Sequence, residues 1–365
     1  MAINFPSSPV DGQIYNKHVY RNGAWHVVPT KTALPKNYIL NPSMAVSQEI
    51  GETVTSANGV FVADQWNTQS AGLAFNGQRT TAVDGTRIQT GVTTGVAMTG
   101  GEYWSFCHTI EALRLYEFQY NTPNAKHAVL RFEVYGTVGG TFGFSLRNHA
   151  VWDRAFVAPF TIAANAWHTI TIPIPGDTVG TTWPSGSVGC FSLGFAFACG
   201  SAYQGPAGWN AGNLLAPTGI TNGAAVTNTT FYMRNVGLYL DPYRTGVAPP
   251  FVVPSYGQEL RRCQRYWYKL FNLRGGSNGQ TVAYRMSAPH PAPMRITPAG
   301  SIVGSPRVYD QSITAVITGL PTSWSNNLAA EFDVNNAGNL FSPYGRGLVQ
   351  YYQDDNHYIA VNARM

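Results

Sequence analysis

Hydrophobic positions along this chain recur mainly with a period of two, and long helical periodicity is almost absent. Over residues 130–135, Leu130, Phe132 and Val134 alternate with Arg131, Glu133 and Tyr135. Ile170, Ile172 and Ile174 share one phase, with Thr169 and Thr171 opposite. Over 191–199 the odd positions (Phe191, Leu193, Phe195, Phe197, Cys199) are bulky, and the even ones are Ser192, Gly194, Ala196 and Ala198. That pattern predicts a strand with a core face and a small face for close packing against something else. Phe231 and Met233 share a phase that Val236, Leu238 and Leu240 continue one residue out of step, which a β-bulge near Arg234–Asn235 would reconcile. Many such strands between turn signals predict an all-β protein, a sandwich or jelly roll.

Breaks in the pattern divide the chain into four parts. Residues 1–30 read as a small hairpin unit with an Asn22-Gly23 turn, too short to hold a core alone. A two-proline linker follows Val28, and the main sandwich spans 31–245. Residues 246–269 read as linker and helix. The capping-box spacing Ser255 to Gln258 precedes Glu259, Leu260 and Arg262, with the helix expected to reach about Tyr268. Residues 270–365 return to β patterning around a proline-rich stretch and form an expected distal knob.

Composition narrows the function. Hydrophobic residues make up 44% of the 365 residues and charged ones only 11%, so the polar surface is mostly Thr, Asn, Ser, Gln and Gly. That is well below the roughly 25% charge of ordinary soluble domains and suits a stable extracellular β-protein. The net charge is +5, but the basic residues are dispersed apart from Arg261, Arg262, Arg265 and Lys269, so no nucleic-acid partner is expected. Cys107, Cys190, Cys199 and Cys263 lack metal-ligand spacing. Cys190 and Cys199 end one apparent strand, about 30 Å apart if extended, so buried free thiols are expected, as in a chain folded in a reducing cytoplasm. The start of the chain lacks signal-peptide character, and no apolar run is long enough to span a membrane. An extracellular protein without an export signal would leave its host by a route such as lysis.

No phosphate-binding glycine loop, G-x-S-x-G, H-E-x-x-H or EF-hand loop is present, and no cofactor or metal is expected. His108, in the strand-like YWSFCHTIE, reads as a structural histidine. Glu102, Glu111, Glu133 and Asp153 lie at strand edges without the pairing that glycoside hydrolysis needs, and Asp354-Asp355 reads as a solvated turn. The chain is therefore expected not to be an enzyme. Aromatic residues are the richer signal: 9 Trp, 20 Tyr and 18 Phe. Sugars bind by laying an apolar ring face on Trp or Tyr while neutral polar groups read the hydroxyls. The Gly-rich loop with Tyr203, Gln204, Trp209 and Asn210, together with Trp183 in a second loop, forms the candidate glycan site, the alternative being that these aromatics cover the ends of the sandwich or sit in a subunit interface. Trp66, Trp104 and Trp167 are in strand-like contexts and are expected in the core.

Several segments resemble those of phage virion appendage proteins. The first, F-P-x-x-P-x-x-G-x-x-Y then N-G-x-W, maps onto Phe5, Pro6, Pro9, Gly12, Tyr15, Asn22, Gly23 and Trp25. In that family it is associated with attachment to the particle. Asn41 to Met44, Ala63 to Trp66, Ile110-Glu111 and the strand at 167–177 resemble a phage-encoded jelly roll similar to carbohydrate-binding modules. The closing S-x-G-x-E-L-x-x-C-Q-R-Y (255–266) is the most specific motif, and P-A-P-M-R-x-T-P (291–298) commonly follows it. One departure stands out: Val236 to Asp241 has no Glu where the family usually carries G-x-x-x-E.

The resemblance implies a fibre or spike subunit on a tailed phage or phage-like particle. Virion proteins would be bound through residues 1–30, with Phe5, Pro9, Gly12, Tyr15 and Trp25 as anchoring residues. Host surface glycan would be the second partner. A homotrimer is expected from the small face of Ser192, Gly194, Ala196 and Ala198 and from the aromatic supply. The rivals are a ligand-free structural decoration subunit and a polysaccharide depolymerase.

Overall fold

The computed structural model describes residues 4–21, 23–27, 35–179, 183–270, 274–277, 283–305, 307–310, 313–325, 329–336, 349–352 and 358–365. The chain is all-β with one α-helix, and it forms two compact units. The first comprises residues 1–45, 52–62 and 66–253, so the N-terminal hairpin is grouped with the sandwich. The second comprises residues 46–51, 63–65 and 254–365.

The first unit is a jelly-roll sandwich of a seven-stranded and a five-stranded sheet. The five-stranded sheet runs, from one edge to the other, Trp167–Ile174, Ala128–Gly136, Thr230–Leu240, Gly85–Val92 and Phe75–Ala82, with every neighbouring pair antiparallel. Phe231, Met233, Val236 and Leu238 are all buried, because the strand bulges between Arg234 and Gly237 with Asn235 at φ 53°. An extra residue there resets the side-chain phase, as the sequence pattern requires. Between the sheets lies a seam of rings. Phe197 stacks on Phe231 at 4.1 Å, and Phe132 meets Phe195 edge-on at 5.0 Å. Trp66 and Trp104 are fully buried, and each indole N–H has a partner: Trp66 donates to Asn41 O and Trp104 to Thr90 Oγ1. Burying such polar tips without partners would offset much of the gain from the rings. His108 stacks on Trp66 at 4.5 Å and accepts a bond from Leu40 N, a structural role.

The strand Gly189–Cys199 is buried along its whole length. Its small face is covered by the chain itself, because a Cβ on Gly194 would meet Ser145 and Leu215, and Ala196 packs with Leu215 and Ala216. The face on which the expectation of a homotrimer rests is thus occupied internally. A second bulge, between Ala196 and Ala198, shifts the phase so that Cys199 joins Ala196 on this small face rather than Phe195 and Phe197.

The N-terminal strands Ile14–Tyr15, His18–Arg21 and Ala24–Val27 form a meander. Asn16 and Lys17 (φ 43° and 63°) make the first turn, which carries no glycine, and Gly23 (φ 79°) lies in the second. Of the residues expected to anchor, Phe5 stacks on Trp25 at 4.8 Å with Tyr15 edge-on to both. Gly12 (φ 86°) donates to Tyr20 O, a backbone state that favours glycine, and Pro9 is half-buried.

In the second unit the helix is Tyr256–Gln264, four residues shorter than expected, and Ser255 makes no side-chain capping bond. The strand Trp267–Leu270 takes over instead, pairing with Tyr358–Asn362. Conspicuous motif residues are structural here. Cys263 and Tyr266 are fully buried, and Arg295 Nε donates to Ala363 O. Three of the four residues of the basic cluster are engaged locally: Arg262 pairs with Glu259, Arg265 donates to Pro293 O, and Lys269 lies over the Tyr358 ring. Six further strands close a barrel. Among the described residues no helix is long and apolar enough to cross a membrane, and no cluster of three His, Cys, Asp or Glu could hold a metal.

All four cysteines are buried and unbridged, and burial pushes the Cys190 and Cys199 thiols up to about 12. Thiolate is the reactive form. Iodoacetamide at pH 7.5 is therefore expected to label the native protein at least about a hundredfold more slowly than the denatured protein, as followed by mass spectrometry.

Candidate functional site

The loop candidates from the sequence fall into two places. Trp183 and Trp209 come together, ring centroids 6.0 Å apart, around Tyr120 and against Phe191 and Phe156. Their polar groups are committed inward. Trp209 Nε1 donates to Pro175 O, and Trp183 Nε1 donates to the buried Asp177 carboxylate. Arg154 grips the same carboxylate at 2.7 Å while its guanidinium covers the Trp209 ring. Asn210 closes its own turn by donating to Pro206 O and Gly208 O. Tyr203 lies elsewhere, edge-on to Tyr103, and Gln204 bridges Cys199 O and Gly219 N. Trp209 and Asn210 lie not in a loop but in the strand Gly208–Ala211 at the edge of the seven-stranded sheet, and together these residues pin their segments to the sandwich. Removing Asp177 strands a buried guanidinium, so Asp177→Ala is expected to cost about 3–5 kcal/mol in chemical denaturation and to change the near-UV signal of Trp183.

The carboxylates are engaged one by one. Glu102 accepts from Gly100 N and Thr99 N, which hold it down at about 2. Asp153 accepts from Asn148, and Glu111 is buried. Asp241, at the position where Glu was expected, accepts from Thr245 N and Gly246 N and closes the turn that follows. Asp354 and Asp355 lie outside the described residues.

A different surface gathers the chemistry a ligand would use. Antiparallel register lines up one row across all five strands of the smaller sheet: Trp167 opposite Tyr135, Tyr135 opposite Tyr232, Tyr232 opposite Gln89, and Gln89 opposite Gln78. All five point away from the core and are half-buried. With strands about 4.8 Å apart, the row is about 19 Å long. Tyr135 lies 5.8 Å from Trp167 and 5.7 Å from Tyr232, and Gln78 donates to Gln89. With Arg87 and Thr80, four of these side chains line a groove of about 340 Å³, within the range of small-ligand sites. Trp167 is thus not a core residue. It shares the phase of the exposed Thr169 and Thr171.

Beside the aromatic row runs a row of charge. Glu133 accepts from Arg131 at 3.0 Å, from Arg234 at 2.9 Å and from Asn235. Arg234 also bonds Asp84, and its guanidinium stacks over Trp167 at 4.2 Å. Burial raises the Glu133 pKa, but bonds from Arg131, Arg234 and Asn235 outweigh it and hold the carboxyl below its ordinary 4.5. A lowered carboxyl contributes stability that is complete above 4.5 and is lost as pH falls through the lowered value. Acidification below 4.5 is therefore expected to release Arg234 from Trp167, read as a change in tryptophan fluorescence that Glu133→Gln shows already at neutral pH.

A larger groove of about 590 Å³ lies in the first unit between Ile14, Lys36, Tyr38, Glu117 and the 240–250 segment. Its walls are largely apolar. Its charged groups satisfy one another, because Lys36 pairs with Glu117, which also takes the Tyr38 hydroxyl, and Asp241 is saturated by its own turn.

No protein-family model matches the chain, and no curated protein matches it. Solved structures similar to it include a family 11 carbohydrate-binding module from Clostridium thermocellum in complex with a β-1,3-1,4-mixed-linked tetrasaccharide. The identity is 16%, with 52% of this chain and 96% of that one covered at a TM-score of 0.28. A carbohydrate-binding module, TmCBM61, in complex with β-1,4-galactotriose is 12% identical over 56% of this chain and 99% of that one, TM-score 0.30. A putative sugar binding protein from Bacteroides thetaiotaomicron is 9% identical over 56% and 100%, TM-score 0.33.

Proposed function

We propose that this chain is a glycan-binding protein whose site is the outer face of the five-stranded sheet, and that it serves as a host-contacting fibre subunit of a phage or phage-like particle. The observation that carries the binding site is the row Trp167–Tyr135–Tyr232–Gln89–Gln78 beside a groove. The rings there offer apolar surface to the C–H faces of sugars beside the guanidinium groups of Arg234, over Trp167, and Arg87, near Trp167 and Tyr232, and amides lie at the end of the row to take hydroxyls. Trp167 also keeps an indole N–H with no partner among the described residues, unlike Trp183 and Trp209, whose donors are used within the protein. The virion role is supported by the resemblance of residues 5–25 and 255–266 to appendage proteins. In this reading the meander of residues 5–27, with Ile14 and Val10 exposed, meets the particle. Binding rather than hydrolysis is the better reading of a face whose single glutamate is locked between two arginines.

Titration of the purified protein with isolated bacterial surface polysaccharides tests this reading. Saturable binding that weakens by about 2 kcal/mol, roughly thirtyfold, in Trp167→Ala is the expected result. Binding lost in Trp209→Ala but intact in Trp167→Ala would return the site to the loops. Absence of binding to any polysaccharide would leave a purely structural subunit.

A further inference from the structure

The groove carries one group that the rest of the site does not need. Arg87 sits between the Trp167 and Tyr232 rings, its guanidinium carbon 5.7 and 5.6 Å from their centroids. Its only carboxylate contact among the described residues is Asp84 at 3.7 Å, too long for a hydrogen bond, and Asp84 is bonded instead by Arg234. Arg87 Nε has no hydrogen-bond partner among the described residues, and the same holds for Thr80 Oγ1 directly across the strand pair. Both residues line the groove.

The charges on this face do not balance. Arg131, Arg234 and Arg87 stand against Glu133 and Asp84, and the hydrogen-bonded pairs consume Arg131 and Arg234, leaving Arg87 with the excess. The charged groups from every strand facing Arg87 are in that count. Arg79, on the neighbouring strand, takes the inward phase beside Ile88 and donates to Ala45 O. A largely buried guanidinium 5.7 and 5.6 Å from two ring centroids, with no hydrogen-bonded carboxylate among the described residues, offers the planar fork that matches a carboxylate.

We infer that the glycan taken by this face bears a carboxylate, as in a uronic acid, and that Arg87 receives it while Trp167 and Tyr232 hold the sugar rings. The inference rests on the glycan-binding reading and sharpens it. A monoanion matches the single excess charge, and a phosphate near −2 would exceed it.

The test is an array of uronic-acid oligosaccharides, their carboxyl-reduced counterparts, phosphorylated sugars and neutral oligosaccharides. The expected result is retention of uronic-acid members at least about tenfold tighter than their reduced counterparts, with that preference lost in Arg87→Gln and partly restored in Arg87→Lys. Equal retention of acidic and reduced members overturns the inference while leaving the glycan reading intact, and so does preference for phosphorylated members. No retention of any member overturns both. Should Arg87→Gln fail to fold, the acidic-against-reduced comparison on the unaltered protein decides alone.

Discussion

Every strand of the five-stranded sheet gives one phase of its side chains to the ring seam, and this constraint fixes what the opposite face displays. Phe132, Val134, Phe231 and Met233 must point inward to meet Phe195, Phe197 and Phe160. Tyr135, Glu133, Tyr232 and Arg234 are therefore driven outward, and the antiparallel register aligns them with Trp167 on one side and Gln89 on the other. A one-residue slip in any of these strands would move its whole outer set into the core. The bulge at Asn235 protects this arrangement, since it lets Val236 and Leu238 return to the core while Tyr232 and Arg234 keep their outward phase. The platform is a by-product of core packing, and for that reason it is rigid.

Rigidity matters because aromatic sugar contacts gain most when the rings are already held in place. Arg234 over Trp167 and Arg87 between Trp167 and Tyr232 limit ring rotation from the same surface that a ligand would approach. Glu133 anchors this by holding Arg131 and Arg234 at once. With only 11% of residues charged, five charges gather on this face. Their placement beside Trp167 and Tyr232 orients these rings.

Much of the fold was legible because the period-two pattern is a direct consequence of burial on one face. The alternation at 130–135 and at 170–174 and the phase change near 234–235 all correspond to observed strands and a bulge. The site was harder to read. Loop tryptophans beside glycine look exposed in a sequence, yet Asp177 and Pro175 O, distant along the chain from Trp209 or hidden in a turn, take up their N–H groups. Trp167 lies outside the core despite its strand-like context, and the sequence carries the signal: it shares the odd phase of Thr169 and Thr171, opposite the isoleucines. Tyr135 likewise sits on the polar phase of its strand. The row itself could not be read, since cross-strand register joins residues that are up to 154 positions apart, as in Gln78 and Tyr232 through Gln89. The second bulge, at Ala196–Ala198, has no pattern signal because Ala196 and Ala198 are both small and either phase reads the same.

The two faces of the sandwich also divide the labour. On the seven-stranded sheet, Leu215 and Ala216 cover the small residues Gly143, Gly194 and Ala196, so the chain closes that face with its own segment. Glycine and alanine there permit the close approach, and a larger side chain at Gly143 would collide with Ala216. On the five-stranded sheet no such cover lies over Trp167, Tyr135 and Tyr232 among the described residues, and the outer residues are large, polar or charged rather than small. Small residues mark a face meant to be sealed within the chain. Large aromatics on the outer face are what the proposed contact with a ligand requires. The same β-patterning that hides one sheet thus leaves the other available, and the difference lies in side-chain size and not in hydrophobicity.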